Sequence, residues 1–272
     1  MVKQIAIYGK GGIGKSTISS NISAALAYGG ANVMQIGCDP KKDSVKLLLG
    51  KEKIVSVLEY LQENSEIRDI NKIMKTGYMG IKCIESGGPE PGVGCAGRGI
   101  ILSIEVLKKL GALEKDNDFI IYDVLGDVVC GGFAVPIREG YAQDIYLVVS
   151  GEFMSVFAAN NICKCIKKYA SGGNVRLRGI ILNSRNVPHE ENIARSFACA
   201  IGTQVLKIIP RDNRFYDAEI SKKTIIEMDA TSDLSQIFIS LANEIKEDKN
   251  TNIPSPLSDD EIYELYKKIG GV

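Results

Sequence analysis

The segment Gly9-Lys10-Gly11-Gly12-Ile13-Gly14-Lys15-Ser16 satisfies G-x-x-x-x-G-K-S, between an apolar strand pattern at 2–8 and a helical pattern at 16–28. Its glycines let backbone amides curl around phosphate oxygens, and the helix N-terminus that follows adds a favourable dipole. In such a loop Lys15 reaches the β/γ oxygens, Ser16 holds Mg²⁺, and Thr17 continues the first turn. The pattern predicts a strand, a phosphate-binding loop and a helix.

The rest of the chain repeats that alternation. Short apolar runs at 32–37, 81–86, 119–124, 145–150, 179–183 and 204–209 are separated by helix-period segments at 54–62, 100–110, 156–169 and 192–200. The order predicts α/β architecture: a P-loop NTPase with a mostly parallel central sheet covered by helices on both faces. With 272 residues and no composition break, the expectation is a single domain over 1–272. A polar, Pro-containing stretch from about 249 reads as a surface linker, and 260–269 as a terminal amphipathic helix.

Charge narrows the function classes. Lys and Arg number 33 against 33 Asp and Glu, so no net field draws the chain to nucleic acid or an anionic membrane. No apolar run approaches the ~18 residues of a spanning helix, and the start runs directly into a strand, so the expected location is cytoplasmic. The one histidine, His189, falls in a turn-like stretch and reads as a surface residue.

Two acidic segments follow strand ends, where open α/β sheets gather ligands. The first, Cys38-Asp39-Pro40-Lys41-Lys42-Asp43-Ser44, and the second, Asp123-Val124-Leu125-Gly126-Asp127, supply carboxylates for Mg²⁺ and for water. Asp123-x-x-Gly126 is also the form of a γ-phosphate-sensing switch. Lys10 is a second loop lysine. Pointed away from its own phosphates, it is a cationic finger for a facing subunit; otherwise it is a solvated loop residue.

The chain has seven cysteines, an odd number in a length that needs no disulfides. Cys95, in Gly94-Cys95-Ala96-Gly97, and Cys130, in Val129-Cys130-Gly131-Gly132, have glycine neighbours that leave sulfur unshielded and let backbone amides approach. A 4Fe-4S cubane takes four thiolates, and two chains about a two-fold axis supply four from two positions. Cys83, Cys163, Cys165 and Cys199 read as structural.

These motifs, together with Gly37-Cys38-Asp39-Pro40-Lys41, the run 85–99, the run 122–134, Asn183-Ser184-Arg185 and Pro210-Arg211-Asp212-Asn213, closely resemble the nitrogenase iron protein family. The resemblance implies a homodimeric ATPase of the deviant Walker A class with one bridging 4Fe-4S cluster. It further implies MgATP hydrolysis, a nitrogenase-type catalytic metalloprotein as electron acceptor, and a small donor such as ferredoxin or flavodoxin. By position, Cys95 and Cys130 ligate the cluster, Ser16 and Asp43 serve Mg²⁺, and Lys10 acts across the dimer. Asp39 and Asp43 belong to the first switch, Asp123 begins the second, Lys41 and Gly126 bind the nucleotide, and Asp127 is the water-orienting base. Asn183, Arg211 and Asp212 lie near adenine, and Arg98 matches a docking-surface arginine that is ADP-ribosylated in some members.

The chain departs from the family pattern at Lys42, Val45-Lys46, Phe153, Val135 and Arg214-Phe215-Tyr216, which bears mainly on the partner's identity. A reductase for a nitrogenase-like tetrapyrrole-reducing system is therefore a second reading. A cluster-assembly or partitioning-type ATPase is a third, ranked lower because such proteins lack the paired Gly-flanked cysteines.

Overall fold

The computed structural model describes residues 2–88, 96–114, 116–126, 134–170, 175–248 and 252–270. The predicted alternation is present. Strands β1 (Lys3–Tyr8), β2 (Val33–Cys38), β3 (Met74–Thr76), β4 (Lys82–Glu85), β5 (Phe119–Val124), β6 (Asp144–Val149), β7 (Arg176–Asn183) and β8 (Val205–Ile209) form one sheet in the order 3-4-2-5-1-6-7-8. Every neighbouring pair is parallel except β3 with β4.

Helices α1 (Lys15–Tyr28), α2 (Lys46–Leu49), α3 (Val57–Glu63), α4 (Ala96–Lys109), α5 (Val135–Arg138) and α6 (Phe153–Ala170) follow in turn. After them come α7 (Glu190–Ala200), α8 (Arg214–Ser221), α9 (Ile225–Met228), α10 (Asp233–Glu247) and α11 (Asp259–Gly270).

The two-residue period of the strands explains how one sheet serves two cores. Ile5, Ile7, Phe119 and Ile121 face one cluster with Ile18, Ile22 and Leu26 of α1 and Phe238 and Leu241 of α10. Ala6, Tyr8, Ile120 and Tyr122 face the other, with Ile104 of α4, Ile162 of α6 and Phe197 of α7. Central strands are therefore apolar on both faces over most of their length, as a doubly covered parallel sheet requires. Tyr122 is buried with its hydroxyl satisfied by Gln4 Oε1 at 2.7 Å.

The stretch read from sequence as a surface linker runs over the surface at 252–258 and is docked there by backbone hydrogen bonds. Leu177 N donates to Asn252 O at 2.9 Å and Ser255 N to Ile201 O at 3.0 Å. Asn160, fully buried, both donates to Leu257 O and accepts from Leu257 N at 2.8 Å. Backbone groups paired in this way make the segment a strap that seats α11 on α6 and α7, where Phe153 packs against Tyr263 and Tyr266. His189 is exposed, as its turn-like surroundings predict, with φ 59° at the start of α7.

Candidate nucleotide site

The phosphate loop leaves the centre of the sheet, since β1 lies between β5 and β6 and feeds directly into α1. Gly12 and Gly14 have φ of 74° and 95°, values open to glycine at little cost. The glycines also differ in what surrounds them. A Cβ on Gly9 would stand 2.3 Å from Val148 O, whereas one on Gly12 would meet nothing within 4 Å. The loop is thus packed against the sheet on one side and open on the other.

Helices α3, α9 and α10 cap their first amides with Ser56, Thr224 and Ser232. Helix α1 has no side-chain cap: its N-cap is Gly14 in the left-handed region. Its first-turn amides are left for an external anion, and the dipole favours one there. Lys15 is buried within the loop, with Nζ 3.2 Å from Lys10 O. Behind the loop, Asn183 Nδ2 donates to Ile13 O at 2.7 Å and Arg185 Nη2 to Gly12 O at 2.8 Å. These two contacts from the end of β7 fix the loop from the side opposite the switches. Asn183 thus supports the loop at Ile13.

Next to the loop, one register row crosses four strands: Glu85, Gly37, Asp123 and Ile7. Asp123 lies inside β5 rather than after it, and β3, unforeseen in the sequence, makes its strand the fifth. Its Oδ1 accepts from Ser19 Oγ at 3.3 Å, while Oδ2 is buried without a hydrogen-bond partner. Burial raises the Asp123 pKa above the usual carboxylate value, against the opposing effects of Ser16, Ser44 and Lys15. Glu85, fully buried, is pushed up to about 8 by burial and by the nearby Asp123 and Asp43. Two buried carboxyl groups, the half-buried Asp43 and one buried ammonium therefore share a small region, with Asp123 Oδ2 and Glu85 Oε2 both lacking a hydrogen-bond partner.

That arrangement fits a divalent cation brought in with a polyphosphate. Among the described residues, no group of three or more His, Cys, Asp or Glu could hold a metal ion by itself. Mg²⁺ in such a site takes Ser16 and phosphate oxygens, so this is the expected donor set. A cavity of about 630 Å³ opens beside Ser16, Thr17 and Asp43 towards α2 and Lys222.

The segment 39–45 is pinned at several points. Ser44 O accepts from Ser20 Oγ and Gln35 Nε2, both at 2.9 Å, and Val45 N donates to Glu85 Oε1 at 2.9 Å. Asp39 Oδ1 accepts from Lys41 N at 2.9 Å, turning the chain, and Lys42 pairs with Glu59. The segment after β5 reaches the loop at Gly126, where a Cβ would stand 1.4 Å from Gly9 O.

Arg211 is exposed, and the Asp212 carboxylate is held below its ordinary pKa by hydrogen bonds from Arg214, which also bridges to Asp233. Cys95, Asp127 and Cys130 lie outside the described residues, and of Arg98 only the backbone, in α4, is described. Cys38, Cys83 and Cys163 are buried, and burial raises each thiol pKa, that of Cys83 to about 12. Cys38 and Cys163 pack in one apolar core and Cys83 in the other.

Sequence reasoning did not single out Glu85, Ser19, Gln35 or Arg185. A carboxylate ending a buried strand was the available signal for Glu85.

The sheet order, the loop and the uncapped helix define a P-loop NTPase. Solved structures share this fold: the septum site-determining protein MinD of Pyrococcus horikoshii has a TM-score of 0.73 at 20% identity, covering 91% of this chain and 97% of that one. A ParA family ATPase from Chlorobium tepidum gives 0.69 at 18%, covering 90% and 99%.

Within that fold class, the chain belongs to the 4Fe-4S iron sulfur cluster binding proteins of the NifH/frxC family, whose model matches residues 3–271. It is 53% identical to nitrogenase iron protein 1 of Methanothermobacter thermautotrophicus, over 99% of each chain. It is an ATP-hydrolysing reductase component of that type. No described helix is long and apolar enough to cross a membrane.

Proposed function

We propose that two copies of this chain share one 4Fe-4S cluster through Cys95 and Cys130 of each, and that MgATP hydrolysis gates electron delivery to a nitrogenase-type catalytic metalloprotein. The observation that carries the nucleotide half is the uncapped, glycine-led N-terminus of α1 beside the partnerless Asp123 Oδ2. The cluster half rests on family membership and on the glycine setting of the two cysteines. A bound cluster supplies one-electron chemistry at low potential, which no side chain here can.

The chain's own residues then divide the work. Gly9, Gly11, Gly12, Ile13 and Gly14 present amides to the phosphates, Lys15 neutralises β/γ charge, and Thr17 extends the first helical turn. Ser16 and Asp43 hold Mg²⁺, with Asp123 behind them taking hydrogen bonds from its shell. Asp127 orients the attacking water, Asp39 shapes the first switch, and Lys41 lies beside the phosphates. Lys10 stabilises developing charge at the facing subunit's nucleotide, so hydrolysis depends on dimer closure. Asn183, Arg211 and Asp212 border the base. Arg98 lies on the docking face and is a candidate for ADP-ribosylation. A donor such as ferredoxin or flavodoxin re-reduces the cluster.

A shift of the dimer from about 1:99 to 99:1 needs about 5.5 kcal/mol of differential nucleotide binding, shared by two symmetric sites. The test is MgATP turnover by anaerobically prepared protein with and without a nitrogenase catalytic component. Hydrolysis that rises on adding the partner, with reductant consumed in step, is expected. Full-rate hydrolysis without partner, or electron delivery only to a tetrapyrrole-reducing partner, contradicts the proposal.

A further inference from the structure

Glu85 ends β4 ten residues before Cys95, and its side chain does not stay in its own strand. It crosses the row to occupy the space above Gly37, where an added Cβ would stand 2.0 Å from Oε2. Only glycine at 37 leaves that room. From there Oε1 accepts from Val45 N at 2.9 Å, the last peptide of the first switch before α2. The carboxyl is fully buried, so water cannot replace that contact.

The residues after Glu85 are tied to the same switch and to the helix beyond Cys95. Ser86 N donates to Gly37 O at 2.8 Å; Ser86 O accepts from Leu58 N at 3.2 Å and from Ser103 Oγ of α4 at 3.4 Å. Gly88 is pressed on the switch, since a Cβ there would lie 2.5 Å from Pro40 Cβ. Gly99 of α4 is pressed on α3, with its virtual Cβ 2.4 Å from Leu58 Cδ1. Lys42, in the switch, pairs with Glu59 of α3. Packed contacts without slack transmit displacement.

We propose that Glu85 is a positioning residue that couples the first switch to the segment carrying Cys95, so that nucleotide state reaches the cluster through 85–99 as well as through the second switch. The inference rests on reading 39–45 as a nucleotide switch and Cys95 as a cluster ligand. Movement of Val45 on nucleotide binding pulls on Glu85, and Glu85 moves the start of the Cys95 segment relative to α4.

The test is hydrogen–deuterium exchange of the intact, anaerobically prepared protein with and without MgATP, read on peptides covering 39–45 and 86–99. Both peptides are expected to change together in the wild type. Glu85→Ala keeps the 39–45 response and reduces the 86–99 response about tenfold, the scale of one buried hydrogen bond. Glu85→Gln, which retains an oxygen acceptor of the same reach, restores it. A purely structural glutamate would lower the melting temperature and leave both responses in place.

A wild-type response at 39–45 without one at 86–99 overturns the coupling and needs no variant that must fold. So does an 86–99 response unchanged in Glu85→Ala. Silence of both peptides in a protein that binds MgATP overturns the switch reading itself, and the coupling with it.

Discussion

Gly126→Ala is the sharpest perturbation of the nucleotide site. Its added Cβ would stand 1.4 Å from Gly9 O, 2.4 Å from Gly9 C and 2.9 Å from Lys10 C, and real Cβ contacts essentially never fall below 3.0 Å. The two backbones must separate by about 1.6 Å, the difference between 3.0 and 1.4 Å. Neither side of the contact is a flexible side chain, so the phosphate loop or the second switch has to move. A displacement of about 1 Å in a positioned site costs on the order of 100-fold, or about 2.7 kcal/mol.

Overpacking costs about 1–3 kcal/mol of stability in addition. Gly140→Ala is the control: φ is 70°, nothing lies within 4 Å, and the position is exposed. It costs about 1–2 kcal/mol through the left-handed backbone alone. Calorimetric titration with MgADP, paired with melting curves, separates the two effects. Both variants lose stability, but only Gly126→Ala loses affinity. Wild-type affinity in Gly126→Ala refutes the claim that the second switch is packed directly on the loop.

Asn183→Ala removes the support of Ile13 O, and MgADP affinity falls about tenfold, by the worth of one hydrogen bond, with little change in melting temperature. Asn160→Ala leaves both backbone groups of Leu257 without their partner; a loss of about 2–3 kcal/mol in denaturant unfolding is expected, with faster amide exchange in α11. The pH dependence of stability follows from Glu85. Its pKa in the fold is about 8 against an ordinary 4.5, so the folded chain holds a proton that the unfolded chain releases. That contribution is complete below about pH 4.5 and is lost as pH rises through about 8, by up to a few kcal/mol in metal-free protein. Glu85→Gln flattens the slope between those limits, and an unchanged slope refutes the assignment.

The sheet was legible because its strands are apolar on both faces and glycine or polar residues punctuate them. The strand at 119–124 was predicted to the residue, and the helix at 192–200 to within two. Strand β3 escaped notice: it is three residues long, antiparallel and half exposed, with no apolar alternation to reveal it. Helices α8, α9 and α10 were not predicted either. Polar residues interrupt the first two, and the packing of α9 and α10 against α1 is a tertiary fact.

In the site, the loop was readable as a contiguous motif. The Glu85–Gly37–Asp123 row was not, because strands distant in sequence assemble it across the sheet. The docking of the surface linker was hidden for a similar reason: Asn160 satisfies the backbone of Leu257 from a helix nearly a hundred residues away.

Sharing of one cubane by two polypeptides is the claim on which the electron-transfer account stands. Iron analysis of anaerobically purified protein, with its solution mass measured on the same sample, tests it. About two iron atoms per polypeptide in a species of twice the chain mass is the predicted result. About four iron atoms per polypeptide, or a full chromophore in a monomer, contradicts it.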